Sequence, residues 1–212
     1  LDTGAKVIAL EKDRELLPGL EEQFSSYKNF KLIEGDVLVC EPPQEPYKLI
    51  ANIPYYITGA ILERFLSHVR QPSSMVVLVQ KEVAERVCAA NKKESILSLA
   101  VKAYGEPKLV YRVNKGSFNP APTVDSAVLS ISNISRKHFS NQYHEALYFK
   151  AVKAGFAHKR KLLLSNLRST FPKADLSSIF ESIRIPLKAR AEDVSLSFWL
   201  KLAKELIVGK SA

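Results

Sequence analysis

The chain has 212 residues, 46% of them hydrophobic and 25% charged, enough apolar material for one or two packed cores and too much for a disordered tail. No apolar run approaches the ~18 residues that cross a bilayer, and the amino end lacks the basic, apolar, small-residue order of a secretory signal. A soluble cytoplasmic protein is expected. The net charge of +9 is uneven: residues 1–135 carry 16 basic and 16 acidic side chains, whereas residues 136–212 carry 15 and 6. That asymmetry fits a polyanionic partner, because each cation near a phosphate releases a condensed counterion, or else a merely basic soluble surface. Cys40 and Cys88 form no Cys-x-x-Cys pair and the four histidines show no His-Glu-x-x-His spacing, so neither zinc nor a disulfide framework is expected.

In chain order, Lys6 to Leu10 is a short apolar run ending at Glu11, Lys12 and Asp13, the signature of a buried parallel strand at its carboxyl edge. A helix is expected over Arg14 to Ser26. Further strands are expected at Phe30 to Glu34, Tyr47 to Ala51 and Met75 to Val79, with helices at Thr58 to Val69, Lys81 to Ala90 and Glu94 to Tyr104. Strands alternating with helices predict a parallel sheet. Leu109 to Val113 and Ala127 to Ile131 then read as strands with no helix between them, joined by a loop containing Pro120 and Pro122, which predicts an antiparallel pair at the sheet edge. Ser132 to Asn141 reads as a linker, and the spacing beyond it is helical. The expected architecture is an α/β domain over 1–135 followed by a small all-α domain over 136–212.

The most informative tetrapeptide is Asn52-Ile53-Pro54-Tyr55, directly after the apolar run Leu49 to Ala51. Doubly wound sheets bind ligands at the carboxyl ends of their strands. Pro54 fixes its own φ and biases Ile53 toward extended backbone, so the Asn52 amide and the Ile53 carbonyl can be held in set directions. Two such acceptors suit the exocyclic amine of adenine, whose lone pair is delocalised into the ring until the nitrogen is held near tetrahedral. Tyr55 offers a stacking face for the extruded base. An ordinary strand-to-helix turn is the plainer reading of the same four residues.

Together with Phe118-Asn-Pro-Ala-Pro-Thr-Val-Asp-Ser-Ala127 and Val79-Gln-Lys-Glu-Val-Ala-Glu-Arg86, the tetrapeptide resembles the ribosomal RNA adenine N6,N6-dimethyltransferases, most closely the bacterial small-subunit branch. The resemblance runs from Lys6 to about Ala203. It implies a Rossmann-like class I methyltransferase sheet with an antiparallel edge pair, S-adenosyl-L-methionine as cofactor, and 16S rRNA of the assembling small ribosomal subunit as partner, acted on by a monomer without metal. It makes Asn52, Ile53, Pro54 and Tyr55 the catalytic loop and Phe118 the aromatic on the other face of the adenine. Glu11 falls at the ribose-binding acid, Asp36 beside the cofactor's adenine amine, and Asn52 also among the cofactor contacts.

Read without the resemblance, Phe118 is a core plug, Glu11 a solvated charge beside Lys12, and Asp36 a turn aspartate. The segment Gly155 to Leu167 resembles the family's basic helix, which makes Lys159, Arg160, Lys161 and Arg168 RNA contacts or, more plainly, a solvated helix face. Asp193 or Ser195 is expected to cap a final helix. The resemblance also implies an upstream strand and a Gly-x-Gly-x-Gly turn before Leu1, lying in the sheet between Val7–Leu10 and Leu49–Ala51, so a truncated sheet with two unpaired inner edges and weak cofactor binding is expected. Competing readings are a noncatalytic ribosome-assembly factor on the same scaffold, a 23S rRNA dimethyltransferase of the macrolide-resistance type, and a DNA adenine methyltransferase.

Overall fold

A computed structural model describes residues 1–208, the last four residues of the expected helical domain lying outside that range. The chain forms two compact units, Leu1–Gln44 and a second that starts at Glu45. In the first, β1 (Val7–Glu11) and β2 (Phe30–Glu34) pair in parallel with Glu11 opposite Glu34, joined by α1 (Leu17–Phe24). The helix starts three residues later than expected, because Asp13 captures the intervening turn. Its carboxylate accepts from Glu15 N at 2.9 Å and its carbonyl from Leu16 N at 3.2 Å, and Pro18 then sits in the first helical turn.

The second unit begins with β3 (Lys48–Asn52), a 3₁₀ turn at Tyr55–Ile57 and α2 (Thr58–Ser67). It continues with β4 (Ser74–Gln80), α3 (Lys81–Cys88), α4 (Ile96–Lys102), β5 (Glu106–Val113) and β6 (Ser126–Ser132). The strand order is β3-β4-β6-β5, with β3 parallel to β4 and both β4–β6 and β6–β5 antiparallel. The expected antiparallel edge pair is therefore present, since a loop without a helix can only return the chain beside its neighbour. Alternating residues Met75, Val77 and Val79 of β4 and Ala127, Leu129 and Ile131 of β6 are fully buried. Among the described residues β1 pairs only with β2 and β3 only with β4, so the strands at Val7 and Leu49 each keep one unpaired edge, and Ile50 on β3 is 81% exposed.

Four helices follow: α5 (Gln142–Gly155), α6 (Leu163–Thr170), α7 (Leu176–Ser182) and α8 (Leu196–Val208). They enclose a core around Tyr148, Phe180 and Trp199 that also takes in Leu99 of α4 and Ala103 directly after it. One expectation fails here. The basic segment is not helical: α5 stops at Gly155 and α6 begins at Leu163, leaving Lys159, Arg160 and Lys161 on an exposed turn. The buried Asn166 amide donates to the carbonyls of Gly155 at 2.6 Å and His158 at 3.1 Å, taking the acceptor a continuing helix would need and releasing the chain. Of the two cap candidates for α8, Asp193 is drawn away. Its carboxylate is claimed by Lys93, while Ser195 stands directly before the helix and its carbonyl accepts from Trp199 N at 3.2 Å.

Candidate functional site

The carboxyl end of β3 delivers Asn52 to the surface, where its side-chain amide and the Ile53 carbonyl receive no hydrogen bond from any described residue. Ile53 itself is buried at 5% exposure and anchors the turn, and Pro54 sits at φ −57° and ψ 132°, extended as its ring requires. The chain then tightens into the Tyr55–Ile57 turn, with Ile57 N bonded to the Pro54 carbonyl at 3.2 Å, and runs straight into α2. Asn52 is thus followed by a buried isoleucine and a fixed proline, which hold its backbone in place at the strand end.

Tyr55 is held from β6, two strands from β3 in the sheet. Its hydroxyl lies 2.6 Å from the hydroxyl of Ser126, which is fully buried at the first position of β6. Ser126 pairs with both Gln80 at the end of β4 and Val113 at the end of β5, so the starts and ends of four strands meet at this one edge. The loop from β5 to β6 carries Phe118, half-buried, and its two ends are cinched together: Lys115 N donates to the Asp125 carboxylate at 3.1 Å and Lys81 N to the Asp125 carbonyl at 3.0 Å. The fold therefore brings Asn52, Ile53, Pro54, Tyr55 and Phe118 to one end of one sheet. Ser126 and Asp125 were visible in the sequence only as part of a motif; their positioning roles come from strand register. Tyr56, 89% exposed beside Tyr55, is a further aromatic at this edge.

In the first unit, Glu11 ends β1 and its Oε1 accepts from the backbone N–H groups of Lys12 and Asp13, both at 2.7 Å. Oε2 has no partner among the described residues. Asp36 follows β2 in a turn, accepting from Leu38 N at 2.8 Å and pairing with Lys12 Nζ at 2.8 Å. Both carboxylates stand at the carboxyl end of a parallel pair, in set orientations, and Lys12 ties the two strand ends. A fixed carboxylate of this kind is a good acceptor for sugar hydroxyls or an exocyclic amine. The plainer readings of Glu11 and Asp36 are visible too, since each also closes a local turn.

Lys159, Arg160 and Lys161 stand exposed on the α5–α6 turn, and Arg168 is exposed in the last turn of α6. The turn is not loose, because Asn166 grips it at both Gly155 and His158, and Lys161 N closes it onto the His158 carbonyl at 3.0 Å. Three adjacent cations therefore stand exposed on a clamped turn.

The pattern of the family described as ribosomal RNA adenine dimethylase matches residues 2–207. The ribosomal RNA small subunit methyltransferase A of Dehalococcoides mccartyi strain CBDB1 is 41% identical, over 97% of this chain and 72% of its own length. Among solved structures, the 23S rRNA methyltransferase ErmE superposes with a TM-score of 0.78 at 25% identity, covering 95% of this chain and 82% of its own. A dimethyladenosine transferase from Plasmodium falciparum gives 0.82 at 23% identity, over 97% and 83%, a likeness of fold.

Proposed function

The chain belongs to the ribosomal RNA adenine dimethylase family, and from that premise we infer how its own residues carry the reaction. It is an S-adenosylmethionine-dependent methyltransferase acting on N6 of adenine in ribosomal RNA. We propose 16S rRNA of the assembling small subunit as the substrate, in the cytoplasm and by a monomer; the identity with small-subunit enzymes, higher than that with the 23S enzyme, supports this choice. No described helix is long and apolar enough to cross a membrane.

Glu11 and Asp36 suit the cofactor: the uncommitted Oε2 of Glu11 accepts ribose hydroxyl protons, and Asp36 accepts from the adenine amine. When bound, S-adenosylmethionine supplies an electrophilic methyl carbon on sulfonium sulfur. The Asn52 side-chain oxygen and the Ile53 carbonyl accept the two N–H bonds of the target amine and turn its lone pair out of the ring plane. Tyr55 and Phe118 take the two faces of the extruded base. Lys159, Arg160, Lys161 and Arg168 hold phosphates, so residues from about 136 onward serve as the RNA-positioning domain of a methyltransferase domain that precedes them. The protein thus supplies alignment, the term that converts a bimolecular encounter into a unimolecular one.

The observation that carries this reading is the 2.6 Å bond from Tyr55 to Ser126, which fixes the catalytic turn to the strand that ends the Phe118 loop. The test is Asn52→Ala. Removing an acceptor used only when the amine is turned should lower methyl transfer by about 10²–10³ while RNA affinity holds, by analogy with loss of one oxyanion donor. A comparable loss of RNA binding with unimpaired single-turnover transfer would overturn the assignment.

A further inference from the structure

One feature at the same sheet edge is not used by the target adenine. A hollow of about 330 Å³ opens beside the carboxyl end of β4, lined by Lys81, Glu82 and Glu85 of α3 and by Lys115, Thr123 and Asp125 of the Phe118 loop. That volume lies at the low end of small-ligand cavities, which run from about 300 to 1,000 Å³, so it has room for one nucleotide and none for a paired helix.

Its charges sort into committed and uncommitted groups. Glu85 pairs with Arg112 at 3.1 Å, and the Asp125 carboxylate is occupied by Lys115 N. The ammonium groups of Lys81 and Lys115 and the carboxylate of Glu82 have no partner among the described residues. Two free cations, one free carboxylate and the Thr123 hydroxyl are the complement of a phosphodiester with a ribose hydroxyl beside it. A purely anionic ligand would leave Glu82 repelled, and a cationic one would meet two lysines.

The hollow is also tied to the catalytic turn. Lys81 N and Lys115 N both bond to Asp125, the residue before Ser126, and Ser126 holds Tyr55. A group seated between the two lysines is thereby fixed relative to the base stacked on Tyr55. Resting on the rRNA methyl-transfer reading above, we propose that this hollow is the subsite for a ribonucleotide flanking the target adenine: Lys81 and Lys115 hold its phosphate, and Glu82 accepts its 2′-hydroxyl. The carboxylate makes the subsite selective for RNA over DNA, because only RNA brings the hydroxyl it accepts.

The experiment measures RNA binding and methyl transfer separately, on the full chain with small-subunit RNA fragments. Lys81→Gln with Lys115→Gln removes two phosphate contacts, so the slope of log affinity against log salt should flatten by about 1.4, at ~0.7 per contact on single strands, with affinity down at least about tenfold. KM should rise by a similar factor while kcat changes little, and Lys81→Arg with Lys115→Arg should restore both, outcomes that mere loss of packing does not give. Replacing the flanking 2′-hydroxyl by hydrogen should weaken wild-type binding several-fold and leave Glu82→Ala unaffected. An unchanged salt slope in the double variant, or equal deoxy-sensitivity with and without Glu82, overturns the subsite. The binding readout stands whether or not methyl appears on the RNA, whereas wild-type protein that binds and never transfers refutes the enzymatic reading instead.

Discussion

Gly155 gives the sharpest test of the packing behind the basic turn, because two effects of opposite sign act on one methyl group. In a helix, Gly→Ala ordinarily stabilises by about 0.5–1 kcal/mol through lost chain entropy. At Gly155, however, a Cβ would lie 2.4 Å from Trp199 Cη2, 2.6 Å from Leu163 Cδ1 and 3.2 Å from Trp199 Cζ3, against a comfortable carbon separation of about 3.5–4.0 Å. Trp199 is fully buried and stacked on Phe156 with ring centroids 5.9 Å apart, so its rigid ring has nowhere to go. Overpacking of this kind costs about 1–3 kcal/mol, which outweighs the entropy gain and leaves Gly155→Ala destabilised by roughly 0.5–2 kcal/mol. At about 2–4 °C per kcal/mol, thermal unfolding should fall by roughly 1–8 °C. Trp199 is the only tryptophan, so its fluorescence reports this site directly alongside circular dichroism. Gly59 in α2 is the control: nothing stands within 4 Å of its would-be Cβ, and Gly59→Ala should melt at or above the wild-type temperature. A Gly155→Ala protein as stable as wild type would show that α5 and α8 do not approach as closely as described.

Two further outcomes are expected. Replacing Lys159, Arg160 and Lys161 by glutamine removes three exposed cations and should flatten the salt dependence of RNA affinity by about 2, at ~0.7 per phosphate contact; an unchanged slope returns the turn to a solvated surface. The Lys93–Asp193 pair should act between two pH limits. The Lys93 ammonium beside Asp193 holds that carboxyl below its usual range, and the carboxylates of Asp193 and Glu192 hold Lys93 above its own. A lowered carboxyl stabilises fully above its unfolded value near ~3.9 and loses that contribution as pH falls through the folded value; a raised amine stabilises fully below ~10.4 and loses it as pH rises through the folded value. The melting difference between wild type and Lys93→Met should therefore be widest between those limits and shrink in strong acid and strong base, and a difference undiminished at pH 2 refutes the pairing.

What the sequence made legible was what depends on nearby residues. Apolar runs such as Met75 to Val79 marked strands because one face of β4 is buried and the other half-buried, and the missing α-helix between Val113 and Ala127 marked the antiparallel return. Asn52-Ile53-Pro54-Tyr55 was legible because proline acts on its own neighbour. Illegible were choices made by distant partners. Leu162, Leu163, Leu164 and Leu167 have helical spacing, yet the helix begins only at Leu163, because the Asn166 amide takes the carbonyls that would carry α5 onward. Asp193 looks like a helix cap until Lys93, far off in the chain, takes its carboxylate. Lys81 and Lys115 are unremarkable separately and become a pair only because Asp125 binds the backbone of both.

These distant ties form a continuous path through the second unit. α2 starts at the Tyr55 turn, and the carbonyls of Ser67 at its end and of His68 directly after it accept from the guanidinium of Arg136. Arg136 also bonds Glu145 at 3.0 Å in the first turn of α5 and lies 5.9 Å over the ring of Tyr104, whose hydroxyl donates to the same carboxylate. Burial and that carboxylate push the Tyr104 phenol far above its ordinary range, so it stays a donor at every working pH. α5 then ends at Gly155, where Asn166 clamps the basic turn. Helices are stiff and every junction between them is a hydrogen bond to a charged or buried group, so the basic turn at Lys159, Arg160 and Lys161 and the turn at Tyr55 are linked by a continuous path. On the proposed reading, alignment matters more than any acid or base, and a linked path of this kind is what such a mechanism needs, with the Asn52 amide, the Ile53 carbonyl and the rings of Tyr55 and Phe118 as the groups it would position.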